Sequence, residues 1–211
     1  MHIAEGMLSG SPEGIAVLAA GAAVTAAGTA WGLRKTSYEQ VPQVAMLASA
    51  FFVVSLVPIP LGGVSVHLVL NGLVGLVLGW SAFPAILIAL LLQAVLFGHG
   101  GLTTLGINTA SMALPAVAAG LAFRSLASSR SPLAAALAGI AAGATGVMLG
   151  AAAVSLALIL SGRDFRTLAE GFFLLHIPLA VVEGAVTGSA VAFVRKVRPE
   201  LLNAPLLAPS P

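Results

Sequence analysis

The sequence contains no cysteine and very little charge. The absence of cysteine excludes disulfides, thiolate metal sites and cysteine nucleophiles. Only 8% of the 211 residues are charged and 59% are hydrophobic, whereas a soluble domain has about a quarter charged residues. The nine basic residues are spread along this apolar chain and form no basic face, so the net charge of +2 does not indicate a nucleic-acid partner. An ordinary soluble globular domain is excluded.

Long apolar runs take the place of charge. Lipid cannot satisfy bare backbone N–H and C=O groups, so a spanning chain forms helices or a closed barrel, and these runs do not alternate as barrel strands do. We predict an all-α integral membrane protein, a bundle of about seven transmembrane helices. The predicted spans are residues 14–33, 42–60, 66–81, 83–98, 104–123, 132–161 and 174–194. The third and fourth are short, which leaves open a buried hairpin that does not cross fully.

The basic residues predict the orientation of the bundle, because short cytoplasmic loops are enriched in Lys and Arg. With the N-terminus outside and the C-terminus inside, seven of the nine basic residues are cytoplasmic: Arg34, Lys35, Arg124, Arg130, Arg195, Lys196 and Arg198. Only Arg163 and Arg166 then lie outside. The bundle itself is predicted to occupy residues 14–198, followed by an irregular cytoplasmic tail at residues 199–211.

The first two residues are the clearest candidates for metal binding. The segment from Met1 to Gly14 has no Lys or Arg, unlike a secretory signal, so we expect Met1 and His2 to be retained. A free α-amine, the next amide nitrogen and the His2 imidazole can bind one ion in fused chelate rings, and His67 is our choice for the fourth nitrogen. Such a site suits Ni(II) or Cu(II) and can be imposed on Co(II), whereas Mg(II) and Ca(II) prefer oxygen. Residues 1–13 are therefore predicted to be a metal-capture loop.

Further polar residues cluster toward the predicted outer face, where all four histidines fall: His2, His67, His99 and His176. His67 and Asn71 are four residues apart, and His176 and Glu183 are seven apart, so each pair would share one face of a helix. Glu183 lies two turns into a span, where an ionisable group is costly unless it faces the interior and finds a partner.

Simpler interpretations remain open for these residues. His2 can be an accident of an exposed terminus, and His99 a turn residue in a glycine-rich loop. His67 and His176 can be polar caps at the mouths of spans. Hydrogen bonds that join helices are the commoner use of buried amides in membranes, and this interpretation applies to Asn71, Gln93, Asn108 and Glu183. The glycines around His99 lack the Lys-Ser/Thr ending of a phosphate loop, so ATP hydrolysis is not expected of this chain.

Four segments resemble the CbiM/NikM family, whose members are substrate-binding S components of energy-coupling factor transporters for cobalt and nickel. These are the opening MHIAEG, the SVHLVLNG of residues 65–72, the run from Gln93 to Asn108, and the HIPL and EG of residues 176–184. The resemblance covers nearly the whole chain. It implies a seven-helix, non-catalytic subunit of a prokaryotic inner membrane that captures Co(II) or Ni(II) from outside and needs no cofactor.

The resemblance also implies ligands and partners. The metal ligands would be Met1, His2 and His67. The resemblance gives His99 and Asn108 supporting roles around that site. By their positions in the sequence, Asn71, His176 and Glu183 are further candidates for support of the site or for the path of the ion. The implied partners are two cytoplasmic ATPase subunits, a transmembrane coupling subunit and a small two-span accessory protein, all at the lipid bilayer.

Two choices remain. We favour cobalt, because Glu5 resembles the cobalt branch of the family, although Met7 stands where an aromatic residue is usual. The alternative function is a self-contained divalent-metal permease or channel, which would need an ionisable relay through several spans. An intramembrane enzyme built on Ser65 and His67 is disfavoured, since residues so close along a helix point apart.

Overall fold

The protein is a bundle of helices, seen here in a computed structural model that describes residues 2–61 and 64–203. The helices are α1 (Pro12–Lys35), α2 (Val41–Val54), α3 (Asn71–Leu78), α4 (Ala82–Phe97), α5 (Leu105–Ala127), α6 (Pro132–Ser161), α7 (Arg166–Val197) and α8 (Glu200–Asn203). The predicted all-α bundle of about seven helices is confirmed, and the single turn of α8 lies in the segment predicted to be irregular. Short 3₁₀ turns at Tyr38–Gln40, Gly79–Ser81 and Arg163–Phe165 link some of the helices.

A small hairpin that the sequence analysis did not predict follows α2. Strands β1 (Pro58–Leu61) and β2 (Val64–His67) pair antiparallel, with Pro58 opposite His67. The predicted second span therefore ends too late, and the third begins too early. The reason is Pro58 and Pro60, which have no N–H to donate to a helix and whose rings clash with the preceding turn.

Helix α3 is too short to cross a membrane alone. Its eight residues rise about 12 Å, well under the roughly 30 Å of a hydrocarbon core. Thr36 and Ser81 share a 2.8 Å hydrogen bond that joins the turn after α3 to the C-terminal end of α1. Of the two spans predicted to be short, α3 thus does not cross by itself, and it is continued by α4.

Five segments of the described chain are long and apolar enough to span a bilayer: Pro12–Lys35, Asn71–Phe97, Leu105–Ala127, Pro132–Ser161 and Arg166–Val197. The protein is accordingly a multi-pass membrane protein. Ser11 bonds the carbonyl of Ser161 at 3.1 Å, which places the start of α1 beside the end of α6. Arg195 bonds the carbonyls of Ser129 and Arg130 at the opposite end.

The α6 and α7 backbones approach each other closely at glycines of α6. A methyl group added at Gly143 would lie 2.5 Å from the carbonyl oxygen of Glu183, and one at Gly139 would lie 2.9 Å from the Cα of Gly188. These small residues let the α6 and α7 backbones meet. The tight pairing holds Glu183 against the start of α3.

Candidate metal-binding site

The segment before α1 turns into the bundle, because two of its apolar side chains are buried in the core. Ile3 is 2% exposed and Leu8 is 1% exposed. Asn108 of α5 accepts a hydrogen bond from the Ile3 N–H at 2.8 Å and donates to the Ile3 carbonyl at 3.0 Å. A further bond from its amide to Thr104, at 3.2 Å, fixes the carboxamide. Asn108 therefore holds the residue directly after His2.

A glycine-rich loop passes over His2. Gly100, at φ +76°, lies so close that an added methyl group would be 3.5 Å from the Cδ2 of His2 and 3.1 Å from the Asn108 amide nitrogen. The backbone N–H of Thr103 donates to the Glu5 carboxylate at 3.1 Å, so the loop and the N-terminal segment are joined at a second point. The positive φ and the close contact both require glycine at position 100.

The carboxamide of Gln93 lies beside the His2 ring. Its amide nitrogen donates to Ser55 and, at 3.4 Å, to the carbonyl of Phe52. The Gln93 Oε1 and the His2 Nε2 are both buried and outside strict hydrogen-bond geometry with any described atom. Because the Gln93 amide nitrogen donates to Ser55 and Phe52, the Gln93 Oε1 is the atom that faces His2.

Two more imidazoles complete this end of the bundle. His67 ends β2, and its Nδ1 is buried without a hydrogen-bond partner among the described residues. The rings of His67 and His99 have centroids 6.4 Å apart. Gly98 ends α4 at φ +66°, and the N–H of His99 bonds the carbonyl of Gln93 at 3.2 Å. The end of α4 therefore sets the positions of both Gln93 and His99.

The surroundings keep these imidazoles neutral. Burial, with smaller contributions from the nearby His67 and His99, lowers the pKa of His2 well below its usual value of 6.5, against a slight rise from Gln93. Burial also lowers the pKa of His67, and the neighbouring His99 acts in the same direction. A neutral imidazole has a lone pair free for a cation, so both rings are ready to act as ligands.

Glu183 has a role that its sequence position did not reveal. Its carboxylate is fully buried and accepts hydrogen bonds from the backbone N–H of Val69 and from that of Leu70, the latter at 3.0 Å. These two residues immediately precede α3, whose first N–H groups have no partner within the helix. Glu183 is thus a carboxylate cap on α3, and it touches the chain only two residues after His67.

Asn71 and His176 lie differently from what their spacing predicted. His67 belongs to a strand, so it shares no helix face with Asn71, whose buried carboxamide has no partner among the described residues. Since α7 begins at Arg166, His176 lies well inside the helix and not at its mouth. Its Nδ1 bonds the carbonyl of Phe172 at 2.6 Å, and its ring packs on Phe172.

The structure therefore brings together His2, His67, His99 and Asn108 from the predicted set. Met1 lies outside the described residues. Within 2–61 and 64–203, three His, Asp or Glu side chains do not converge as a ready metal centre. Gln93 is the residue whose place at the site the sequence analysis missed. The only signal for it in the sequence was an amide side chain in the apolar span that precedes His99.

Comparisons with known proteins agree with one another. Residues 2–201 match the family CbiM, described as the cobalt uptake substrate-specific transmembrane region. The chain is 40% identical over 205 residues, 96% of its length, to a Haemophilus influenzae protein whose assignment to metal transport is provisional, covering 97% of that protein. It is 35% identical over 218 residues to the cobalt transport protein CbiM of Sorangium cellulosum, covering 96% and 95% of the two chains. A crystal structure of a transition metal transporter has the same fold, with a TM-score of 0.68, 26% identity and 93% of each chain covered.

Proposed function

Because this chain belongs to the CbiM family of cobalt uptake transmembrane proteins, we propose that it is the substrate-binding subunit of an ATP-driven uptake transporter for Co(II) or Ni(II), with Co(II) favoured. The observation that carries this proposal is that His2 and His67 lie close together at one end of the bundle, where burial lowers the pKa of each imidazole and so favours the neutral, metal-binding form. The Nδ1 of His67 is in addition buried without a partner among the described residues. The two hydrogen bonds between Asn108 and the backbone of Ile3 hold the adjacent His2 in this part of the bundle.

The proposed ligands are the α-amine of Met1, the amide nitrogen and imidazole of His2, and the imidazole of His67. Ring size assigns the His2 atom: binding through Nδ1 closes a six-membered ring with the amide nitrogen, which Nε2 cannot do without strain. That choice leaves the His2 Nε2 to donate toward the Gln93 oxygen, its neighbour in the structure. Four nitrogen ligands suit Ni(II) at least as well as Co(II), so the ligand set alone does not select cobalt.

The site is proposed to face outward from a prokaryotic inner membrane. Five of the seven basic residues assigned to the inner side lie near the far end of the bundle, around the Arg195 contacts with Ser129 and Arg130: Arg124, Arg130, Arg195, Lys196 and Arg198. Arg34 and Lys35 end α1 beside the turn at Ser81. Basic loops stay cytoplasmic, which leaves His2, His67 and His99 outside.

The proposed partners supply the energy. Two cytoplasmic ATPase subunits, a transmembrane coupling subunit and a small two-span accessory protein would act on this chain to release the ion inward. A self-contained permease is less well supported. It needs a chain of ionisable groups, and the deepest carboxylate, Glu183, already accepts the N–H groups of Val69 and Leu70.

Calorimetric titration of the untagged protein in detergent tests the proposal, with Co(II) and Ni(II) offered to the unsubstituted chain and to His2→Ala and His67→Ala. We expect one-to-one binding in the parent, weakened in each variant by more than the roughly 10- to 100-fold that supporting residues contribute. His176→Gln is the matched control, since His176 bonds its own helix. Binding that is indifferent to both His2 and His67 would refute the site.

A further inference from the structure

His99 is more exposed to solvent than His2 and His67, the two histidines near it. It is exposed, His67 is half-buried, and the Nε2 of His2 is fully enclosed. The three rings thus form a short series from the surface inward. A hydrated cation that arrives from solvent meets His99 first.

The distance between the rings of His67 and His99 can be compared with the distance at which two imidazoles bind the same metal ion. An imidazole nitrogen binds a divalent ion at about 2.0–2.1 Å, which puts the ion about 3.2 Å from the ring centroid. Two rings on opposite sides of one ion are then at most about 6.4 Å apart by the same bond lengths. The observed centroid distance is 6.4 Å, so the pair stands at the outer limit of bridging.

The backbone around His99 combines a fixed anchor with freedom to move. The His99 N–H is held by the carbonyl of Gln93 at the end of α4. The two residues that follow, Gly100 and Gly101, have φ values of +76° and +144°, a conformation that glycine adopts readily. His99 can therefore approach His67 by a small adjustment of the loop without unfolding α4.

We propose that His99 is a transit ligand: it takes the cation from solvent, bridges it to His67, and leaves when the chelate of Met1 and His2 closes. Each step exchanges ligands on the same divalent ion: the imidazoles of His99 and then His67 each replace a water. The three nitrogens of the chelate then replace the His99 imidazole and further waters, and the α-ammonium and amide protons pass to solvent. This inference rests on the proposed function, because it assumes that Co(II) or Ni(II) finally binds at His2 and His67.

A transit ligand has a kinetic signature that differs from that of a final ligand. Because it lowers the barrier in both directions, its loss slows association and dissociation equally and leaves Kd unchanged. Loss of a final ligand would mainly raise koff and Kd. Loss of a bystander would change neither rate.

Stopped-flow absorbance with Co(II), followed by displacement into excess chelator, measures kon and koff for the full chain and for His99→Ala and His99→Gln. We expect kon and koff both to fall by about tenfold, with Kd and the Co(II) absorption spectrum unchanged. Leu102→Ala is the matched control, an exposed residue of the same loop whose side chain has no ligand atom. Melting temperatures show whether each variant is folded.

Three results would overturn the inference. Unchanged rates in His99→Ala would make His99 a bystander. A higher Kd with an altered spectrum would make it a resident ligand. Failure of the unsubstituted chain to bind Co(II) and Ni(II) would refute the proposed function itself, and this inference with it, whereas the first two results leave the proposed function intact.

Discussion

The carboxamide of Asn108 pairs with both backbone groups of Ile3, accepting from its N–H at 2.8 Å and donating to its carbonyl at 3.0 Å. The two residues are 105 positions apart in the chain. Through this pairing a rigid membrane helix holds a segment that has no regular structure of its own. The position of His2 therefore depends on α5.

Asn108→Leu should weaken Co(II) binding by about 10- to 100-fold, as is typical when a residue that orients a metal ligand is lost. Both backbone groups of Ile3 would lose their partner, so the N-terminal segment would dock less firmly. Calorimetry measures the change. Leu114→Ala on an exposed position of the same helix is the control. An unchanged Kd in Asn108→Leu would show that the segment is held by Ile3 and Leu8 alone.

Gln93→Leu should also weaken binding, by about tenfold, because Leu has no oxygen to face the Nε2 of His2. Ser55→Ala offers a graded comparison. It frees the Gln93 amide from one hydrogen bond but keeps the carboxamide, so we expect a smaller loss. If Ser55→Ala weakens binding as much as Gln93→Leu does, then packing against α2 matters more than the oxygen of Gln93.

Glu183→Ala should destabilise the protein by about 1–3 kcal/mol, the cost of leaving buried hydrogen-bonding groups without partners. Two backbone N–H groups, those of Val69 and Leu70, would lose their acceptor. Glu183→Gln keeps one carbonyl oxygen and should lose less. Thermal unfolding in detergent gives the comparison. Equal stability of all three proteins would contradict a capping role and restore Glu183 as a candidate on the ion's path.

Apolar run length was sufficient to predict most of the helices. The predicted sixth span, residues 132–161, coincides with α6, because a cap at Ser131 and glycine at 162 bound a continuous apolar run. The hairpin at β1 and β2 was not predicted, since its residues are as apolar as those of a span. Pro58 and Pro60 were the available signal, and the length criterion overrode them.

The site was predictable only in part. The chelating potential of His2 is a property of two adjacent residues, and so it is visible in the sequence. The hydrogen bonds of Asn108 with Ile3 and the contact of Gln93 with His2 each join segments about a hundred residues apart. No local sequence pattern predicts such contacts. Glu183 was correctly expected to have a partner, but that partner is backbone, which no pattern of side chains can reveal.

His2 should stay neutral at a pH where an ordinary histidine is half protonated. Burial lowers its pKa well below 6.5, so as the pH falls below about 6.5 the unfolded chain takes up a proton that the folded chain does not. The free energy of unfolding should therefore keep its full value above pH 6.5 and decrease as the pH falls from 6.5 toward the pKa of His2 in the folded state. NMR of the imidazole nitrogens of His2 in metal-free protein follows the titration. A His2 midpoint near 6.5 would contradict the burial of the ring.

Metal binding should respond to pH over a different range. The ordinary pKa of an α-amine is about 7.7–8.0, so protons compete first for Met1, and affinity should begin to fall below about pH 8. Protonation of His2 should add a further loss only below pH 6.5, because its pKa is depressed. Calorimetric Kd values measured from pH 8 to pH 5.5 separate the two ranges. A single loss centred near 6.5 would indicate that an imidazole of ordinary pKa, and not the amine, controls capture of the ion.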